Sequence, residues 1–311
     1  MKILVFGAGA IGSAFGGFLS QFHDVTLLGR KWHLEKIARG GLQVEGIWGR
    51  HRFQSLKLAT KASHLFRSKP FFNLILVTVK SFDTPEVARF LQGRIGPKTL
   101  VLSIQNGIGN IDTLKRYLPP KQILAGRVIF GVVIGPGKIK ITVIADKTRI
   151  GETTEKRTTE RVKFLAEAFS YAGLPTEAVP DVEKYLWAKL IYNCALNPLA
   201  SLLGVHYGAL TEAESTRFLM DEVIREVYRV AKKKKQTLEP STAEGYRKLF
   251  YRRLVPLTYH HLPSMLQDLR RGKPTEIEGL SGAVVRLGKS LRMQTPFNQL
   301  LTDAIHSREA R

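Results

Sequence analysis

The chain has 311 residues, a single cysteine (Cys194) and a formal charge of +22, with 48 Lys and Arg against 26 Asp and Glu. That length suits two domains with a sizeable core, the lone cysteine excludes a disulfide framework and fits a reducing, cytoplasmic setting, and no apolar run reaches the 18 residues a membrane helix needs. The positive surplus raises nucleic-acid binding, but the basic residues are spread along the chain, the one dense run (Lys232–Lys235) reads as a solvated helix end suited to the macrodipole, and no specific nucleic-acid partner is expected.

The first strand candidate, residues 2–7, runs into Gly7-Ala8-Gly9-Ala10-Ile11-Gly12 and then a helix candidate at 10–20. This is G-x-G-x-x-G in the strand–turn–helix context of a dinucleotide site. Gly7 permits the tight turn, Gly9 lets the backbone approach a pyrophosphate, and Gly12 lets the helix pack on the strand. The helix N-terminus adds free N–H donors and a partial positive charge. The strand is too short, and too quickly followed by glycines, to be a secretory signal. The second strand, 24–29, leads into Arg30-Lys31, where NAD-preferring sites carry a carboxylate. A carboxylate there repels a 2′-phosphate and a guanidinium pairs with it, so Arg30 points to NADP(H).

Strands follow at 42–46, 52–59, 73–79 and 99–104, and helices at 31–39, 84–93 and 110–117. This alternation predicts an α/β domain with a mainly parallel sheet and helices on both faces. Gly40-Gly41 and residues 46–50 punctuate a hairpin insertion. Consecutive strands at 124–134, 138–144 and 147–151 read as an antiparallel extension of that sheet, before a helix at 158–172 and a strand at 176–179. From Asp181 helical periodicity dominates, over 181–203, 209–234, 240–253, 263–270, 276–291 and 296–308. The domains are therefore set at 1–179 and 180–311, the second all-α. Thr275 and Glu278 have capping-box form, and Thr295-Pro296 reads as an N-cap followed by Pro at N1.

Four places beyond the glycine loop carry chemistry. Lys80 follows a strand end, where ligands of open α/β sheets bind and a lysine can reach phosphate or carboxylate. Asn106, in Gln105-Asn106-Gly107-Ile108-Gly109, can donate and accept, although an Asn-Gly turn needs no ligand. Lys189, Asn193 and Asn197 recur at i, i+4 and i+8 and stack along one face of a helix whose other residues are largely apolar. Such a polar stripe is costly unless it meets partners or a ligand. Ser264 could bind a carboxylate or hydroxyl and Glu276 a ribose or amide; taken alone, each reads as well as a structural residue. The histidines show no metal-ligand spacing, and no metal is expected.

Together these pieces resemble the ketopantoate reductases. GAGAIG, VKSFD, QNGIG, the K-L-x-x-N-C-A-x-N-P-L run, SMLQD and TEIE occur in that family's order over nearly the whole chain. The resemblance implies a Rossmann-type domain followed by a helical one, an active site in the cleft between them, and NADPH-dependent reduction of a 2-keto acid in pantothenate synthesis. Carried over by motif, Gly7–Gly12, Arg30, Lys80, Asn106, Val132 and Glu276 are implied as cofactor contacts, Lys189 as the catalytic acid, and Lys189, Asn193, Asn197 and Ser264 as substrate contacts. An ammonium near the carbonyl would stabilise the charge that develops on oxygen and donate the proton. Three positions depart from the family pattern: Tyr207 and His261 stand where Asn occurs, and Ser281 where an Asn-Gly pair is usual. Two other readings stay open, a reductase of another 2-keto acid and a non-catalytic NADP-binding sensor. A helical second domain offers a homodimer surface, and a monomer is equally compatible.

Overall fold

The computed structural model describes residues 1–66 and 71–310. Its contacts divide the chain into two compact units, Met1–Gln105 with Asn110–Val182, and Asn106–Gly109 with Glu183–Arg311. The first is Rossmann-type α/β and the second is helical, with no strand among its described residues.

The strands of the first unit are β1 (Lys2–Phe6), β2 (Asp24–Leu28), β3 (Leu42–Gly46), β4 (His51–Phe53), β5 (Lys57–Ala59), β6 (Leu74–Val77), β7 (Leu100–Ser103), β8 (Ile123–Arg127), β9 (Phe130–Gly135), β10 (Lys138–Ile144), β11 (Thr148–Glu152) and β12 (Thr176–Ala178). Eight of them form one sheet in the order β12-β11-β8-β7-β6-β1-β2-β5, parallel from β8 to β5. The period-2 pattern of its strands feeds two separate cores. Ile3, Val5, Leu74, Leu76, Leu102 and Leu124 face one core, which includes Phe15 and Phe169; Leu4, Ile75, Val77, Val101 and Ile123 face the other, with Leu91 and Leu114. Helices Ala10–Leu19 and Glu160–Tyr171 supply the first face, Thr84–Leu91 and Asn110–Lys115 the second. Burial on both faces is what near-continuous apolar strands require.

Two apolar runs read from sequence as single strands are each broken, because the chain changes sheets within them. The 52–59 run divides into β4, which pairs antiparallel with β3, and β5, which pairs with β2. The 124–134 run divides into β8 and β9, which lie in different sheets. The expected antiparallel extension is accordingly smaller. Only β11, antiparallel to β8, and β12, parallel to β11, extend the large sheet. Strands β9 and β10 instead join the β3–β4 hairpin in a second sheet ordered β4-β3-β10-β9.

The second unit centres on helix Val182–Leu203, whose Leu190, Ile191, Cys194, Ala195, Leu196 and Leu199 are all buried. A helix buried nearly all round is a core element. Burial also pushes the Cys194 thiol up to about 12, so it stays protonated and inert. Helix Glu214–Lys233 contributes to the same core and is preceded by a separate 3-10 turn, Gly208–Thr211. The expected single helix over 240–253 is Ala243–Leu249, then a π-helical turn Phe250–Leu254, then Val255–Leu257. Pro256 offers no N–H to the carbonyl four residues back, which favours the altered turn.

The capping box does not form. Thr275 Oγ1 accepts from Ile277 N at 3.2 Å, but residues 277–279 make only a 3-10 turn and the next helix begins at Ser281. Glu278 turns to Arg286 and His306 instead. Pro296 does begin the last helix, yet Thr295 gives no side-chain cap. The cap comes from Glu226, fully buried, whose carboxylate accepts from the backbone N of Phe297 and of Asn298, each at 2.9 Å.

Candidate active site

In the first unit the glycine loop fits a dinucleotide on steric grounds. A Cβ on Gly12 would lie 2.2 Å from Gly7 O and 2.6 Å from Thr78 Oγ1, and one on Gly7, where φ is +118°, would lie 2.7 Å from Val79 N. These two positions are closed to any side chain. At Gly9 the nearest atom is 4.0 Å away, so that side of the loop is open to a ligand. No side chain caps the helix that starts at Ala10, and no acid occupies its first turn, which leaves it suited to an anion.

Two residues with no local sequence signal hold this loop and the helix after it. Thr78 Oγ1 donates to Gly7 O at 2.7 Å and pins the turn to the end of β6. His33, fully buried, contacts Ser13 Oγ at 3.0 Å through Nε2 and accepts from Gly137 N at 3.1 Å through Nδ1. It thereby ties the helix that begins beside Arg30 to the helix that follows the glycine loop. Burial holds its pKa below the ordinary histidine value. A histidine inside an apolar helical pattern looks like any core residue, so nothing local marked it.

Arg30 sits at the N-cap of helix Lys31–Gly40, exposed, with no side-chain hydrogen bond or ion pair among the described residues. Lys31 pairs with Glu35 at 3.5 Å. Lys80 is half-buried at the turn after β6. Val132 lies on β9 of the smaller sheet, opposite Ile141, and packs on the core that contains Phe15. Gln105 donates from Nε2 to Val79 O at 2.9 Å and to Thr84 Oγ1 at 2.7 Å, fixing the exit from β7.

The remaining predicted residues all lie in the second unit, which includes the Asn106–Gly109 segment. Gly107 explains how that segment is held. Its φ is +79°, and a Cβ there would lie 2.2 Å from Gly279 O. Lacking one, the loop settles onto the 277–279 turn, and Ile108 N donates to Gly279 O at 3.1 Å. Asn106 then bridges two charged groups. Lys189 Nζ donates to Asn106 Oδ1 at 2.7 Å, and Asn106 Nδ2 donates to Glu276 Oε2 at 3.2 Å. Glu276 is itself buried, at 7 % exposure.

Asn106, Asn197, Ser264 and Glu276 line one small pocket with Met265, Asp268 and Leu280. Asp268, in the SMLQD segment, joins this lining although nothing in its local spacing marks it as a site residue. Ser264 stands exposed at the start of helix Ser264–Leu269. Asn193 is buried on the central helix, its amide has no hydrogen bond among the described residues, and it is not part of the pocket lining. The stripe of lysine and amides is thus only partly matched by protein partners, and Lys189 is half-buried beside an amide oxygen. Chemically, this is an ammonium donor flanked by amides, a hydroxyl and two carboxylates, Glu276 and Asp268, set in a helical core.

Residues 3–155 match the family model "Ketopantoate reductase PanE/ApbA", and residues 181–309 match its C-terminal counterpart. The chain belongs to the ketopantoate reductase family. It is 41 % identical to the 2-dehydropantoate 2-reductase of Aquifex aeolicus, over 99 % of this chain and 97 % of that one. Among solved structures it resembles a ketopantoate reductase from Ralstonia eutropha, with a TM-score of 0.87, 31 % identity and coverage of 100 % and 99 %. It also resembles a D-mandelate dehydrogenase solved with NADH and anilino(oxo)acetate, with a TM-score of 0.86, 26 % identity and the same coverage. No helix among the described residues is long and apolar enough to cross a membrane, and no cluster of three or more His, Cys, Asp or Glu among them could hold a metal ion.

Proposed function

We propose that this chain reduces 2-dehydropantoate to pantoate with NADPH, Lys189 acting as the general acid. The observation that carries this reading is the hydrogen-bonded line Lys189–Asn106–Glu276 beside a pocket that also holds Asn197 and Ser264. When bound, the nicotinamide supplies the hydride. The chain's own residues bind, orient and protonate. The glycine loop and helix N-terminus receive the pyrophosphate, Arg30 meets the 2′-phosphate, and Lys80, Val132, Asn106 and Glu276 complete the cofactor contacts. Asn193, Asn197 and Ser264 hold the keto acid through its carboxylate and hydroxyl. Lys189 Nζ donates a proton to the carbonyl oxygen as that oxygen becomes negative, and an ammonium at hydrogen-bond distance stabilises that charge most where water is excluded. Its proton is then recovered from solvent.

Asn106 has a second task in this reading. Its oxygen holds the ammonium while its amide faces Glu276, so the acid and the cofactor-side carboxylate are kept in register by one side chain. The same reading sets the protein in the cytoplasm, where Cys194 stays a free thiol, and leaves the helical unit as the surface through which a homodimer would form.

The likeness to a D-mandelate dehydrogenase favours a second reading, reduction of a different 2-keto acid at the same site. Oxidation of NADPH, followed by absorbance with 2-dehydropantoate, a branched 2-keto acid and an aryl 2-keto acid, separates the two. We expect kcat/KM to be highest for 2-dehydropantoate. A higher value for either competitor reassigns the substrate, and tight NADPH binding with no turnover of any of them points to a sensor.

A further inference from the structure

Asn197 is buried, at 6 % exposure, yet only half of its amide is engaged. Its Oδ1 accepts a hydrogen bond from the Tyr207 hydroxyl. Its Nδ2 has no hydrogen-bond partner among the described residues and is not one of the sealed polar atoms, and the residue lines the pocket with Ser264 and Glu276. The two ends of an asparagine amide have nearly the same shape but opposite chemistry, two donors against an acceptor. Whichever end the protein engages decides what the other end offers a ligand.

Tyr207 is built to stay where it is. It is 3 % exposed, and its backbone N donates to His261 O at 3.1 Å. Its ring meets the edge of Tyr192 with centroids 5.8 Å apart. Burial pushes its phenol well above the ordinary tyrosine value, so it remains an O–H donor throughout the working pH range. It is one of the three positions at which the sequence departs from the pattern of the family it resembles. A phenol reaches further than a short amide and carries a single donor, which Asn197 receives.

We propose that Tyr207 is a positioning residue for substrate recognition: its hydroxyl, bonded to Asn197 Oδ1, holds the Asn197 amide with its NH2 toward the pocket and commits that wall to an anionic or carbonyl oxygen, as on a 2-keto carboxylate. The class of ligand rests on the reductase reading above. Without the phenol, the amide is free to turn its oxygen to the pocket, where it repels a carboxylate.

The test is Tyr207→Phe in the full NADPH-loaded enzyme, which removes the donor and keeps the ring. KM for 2-dehydropantoate rises about tenfold, the scale of one hydrogen bond, while kcat stays within about twofold and NADPH affinity is unchanged. A structural role alone lowers the melting temperature and the active fraction and leaves KM in place; that result overturns the proposal. A second readout needs no turnover. The Asn197 side-chain amide cross-peaks, assigned by their loss in Asn197→Asp, shift in Tyr207→Phe if the phenol orients the amide, and unmoved cross-peaks overturn the proposal. Should the wild-type enzyme reduce no 2-keto acid, the reductase reading falls, and the cross-peaks alone decide what Tyr207 does to Asn197.

Discussion

The glycine loop and the lysine–amide site differ in how the chain builds them. The loop is local. Gly7 to Gly12 and Arg30 lie within the first thirty residues, on two adjacent parallel strands and the helices that follow. The lysine site is assembled from afar. Asn106 is 83 positions from Lys189 and 170 from Glu276, and a single glycine contact, Gly107 on Gly279, brings it there. Local sites tolerate remote change but fail at one residue. Assembled sites can be weakened from several directions, each by a moderate amount.

Four substitutions or conditions break or sharpen that contrast. The largest effect is expected at Gly12→Val. Its Cβ would fall 2.2 Å from Gly7 O, so the loop must move, and NADPH affinity should drop by at least about a hundredfold with the helical unit's melting unaffected. Calorimetric titration checks it; affinity within a few-fold of wild type would mean that the loop is not the pyrophosphate site. Asn106→Ala comes next. It releases the Lys189 ammonium from its amide and should lower kcat by about tenfold to a hundredfold, a smaller loss than removing the acid itself. A loss at Asn106→Ala larger than that at Lys189→Ala would contradict the assignment of Lys189 as the acid.

Arg30→Ala should weaken NADPH by about tenfold and leave NADH nearly unchanged, since the guanidinium has no protein partner among the described residues to lose. Equal weakening of both cofactors removes the 2′-phosphate role. The smallest effect concerns pH. His33 is held below its ordinary value of 6.5 by burial, so the folded chain resists a proton that the unfolded chain takes up. Stability from this group is therefore full above about pH 6.5 and declines as pH falls below it. His33→Gln should lower the melting temperature at pH 7.5 and flatten its decline toward pH 5. A slope as steep as in wild type would assign the acid sensitivity to other groups.

The same contrast explains what could be read from the sequence. The glycine loop, the alternating strands and the polar stripe on one helix face carry their own periodicity, and each lies where its spacing places it. Switches between sheets carry no such signal. The runs 52–59 and 124–134 look continuous because apolar residues recur through them while the partner strand changes. Thr275 and Glu278 have the spacing of a capping box, but Glu278 finds Arg286 and His306 in space and the helix starts later. The cap that does form, Glu226 on the last helix, spans 71 positions and has no local mark. Within the site, Asn106 and Glu276 are legible as residues, and their meeting is not. Tyr207 stood out only as a departure from a family pattern, and its contact with Asn197 gives that departure a physical content.

The central claim is that Lys189 is the proton donor of a 2-keto-acid reductase. The most direct test is NADPH oxidation with 2-dehydropantoate by Lys189→Ala, with NADPH affinity measured on the same sample. The account predicts a fall in kcat of about a hundredfold to ten-thousandfold, with the NADPH dissociation constant within about twofold of wild type. Turnover equal to that of the unsubstituted enzyme would contradict it.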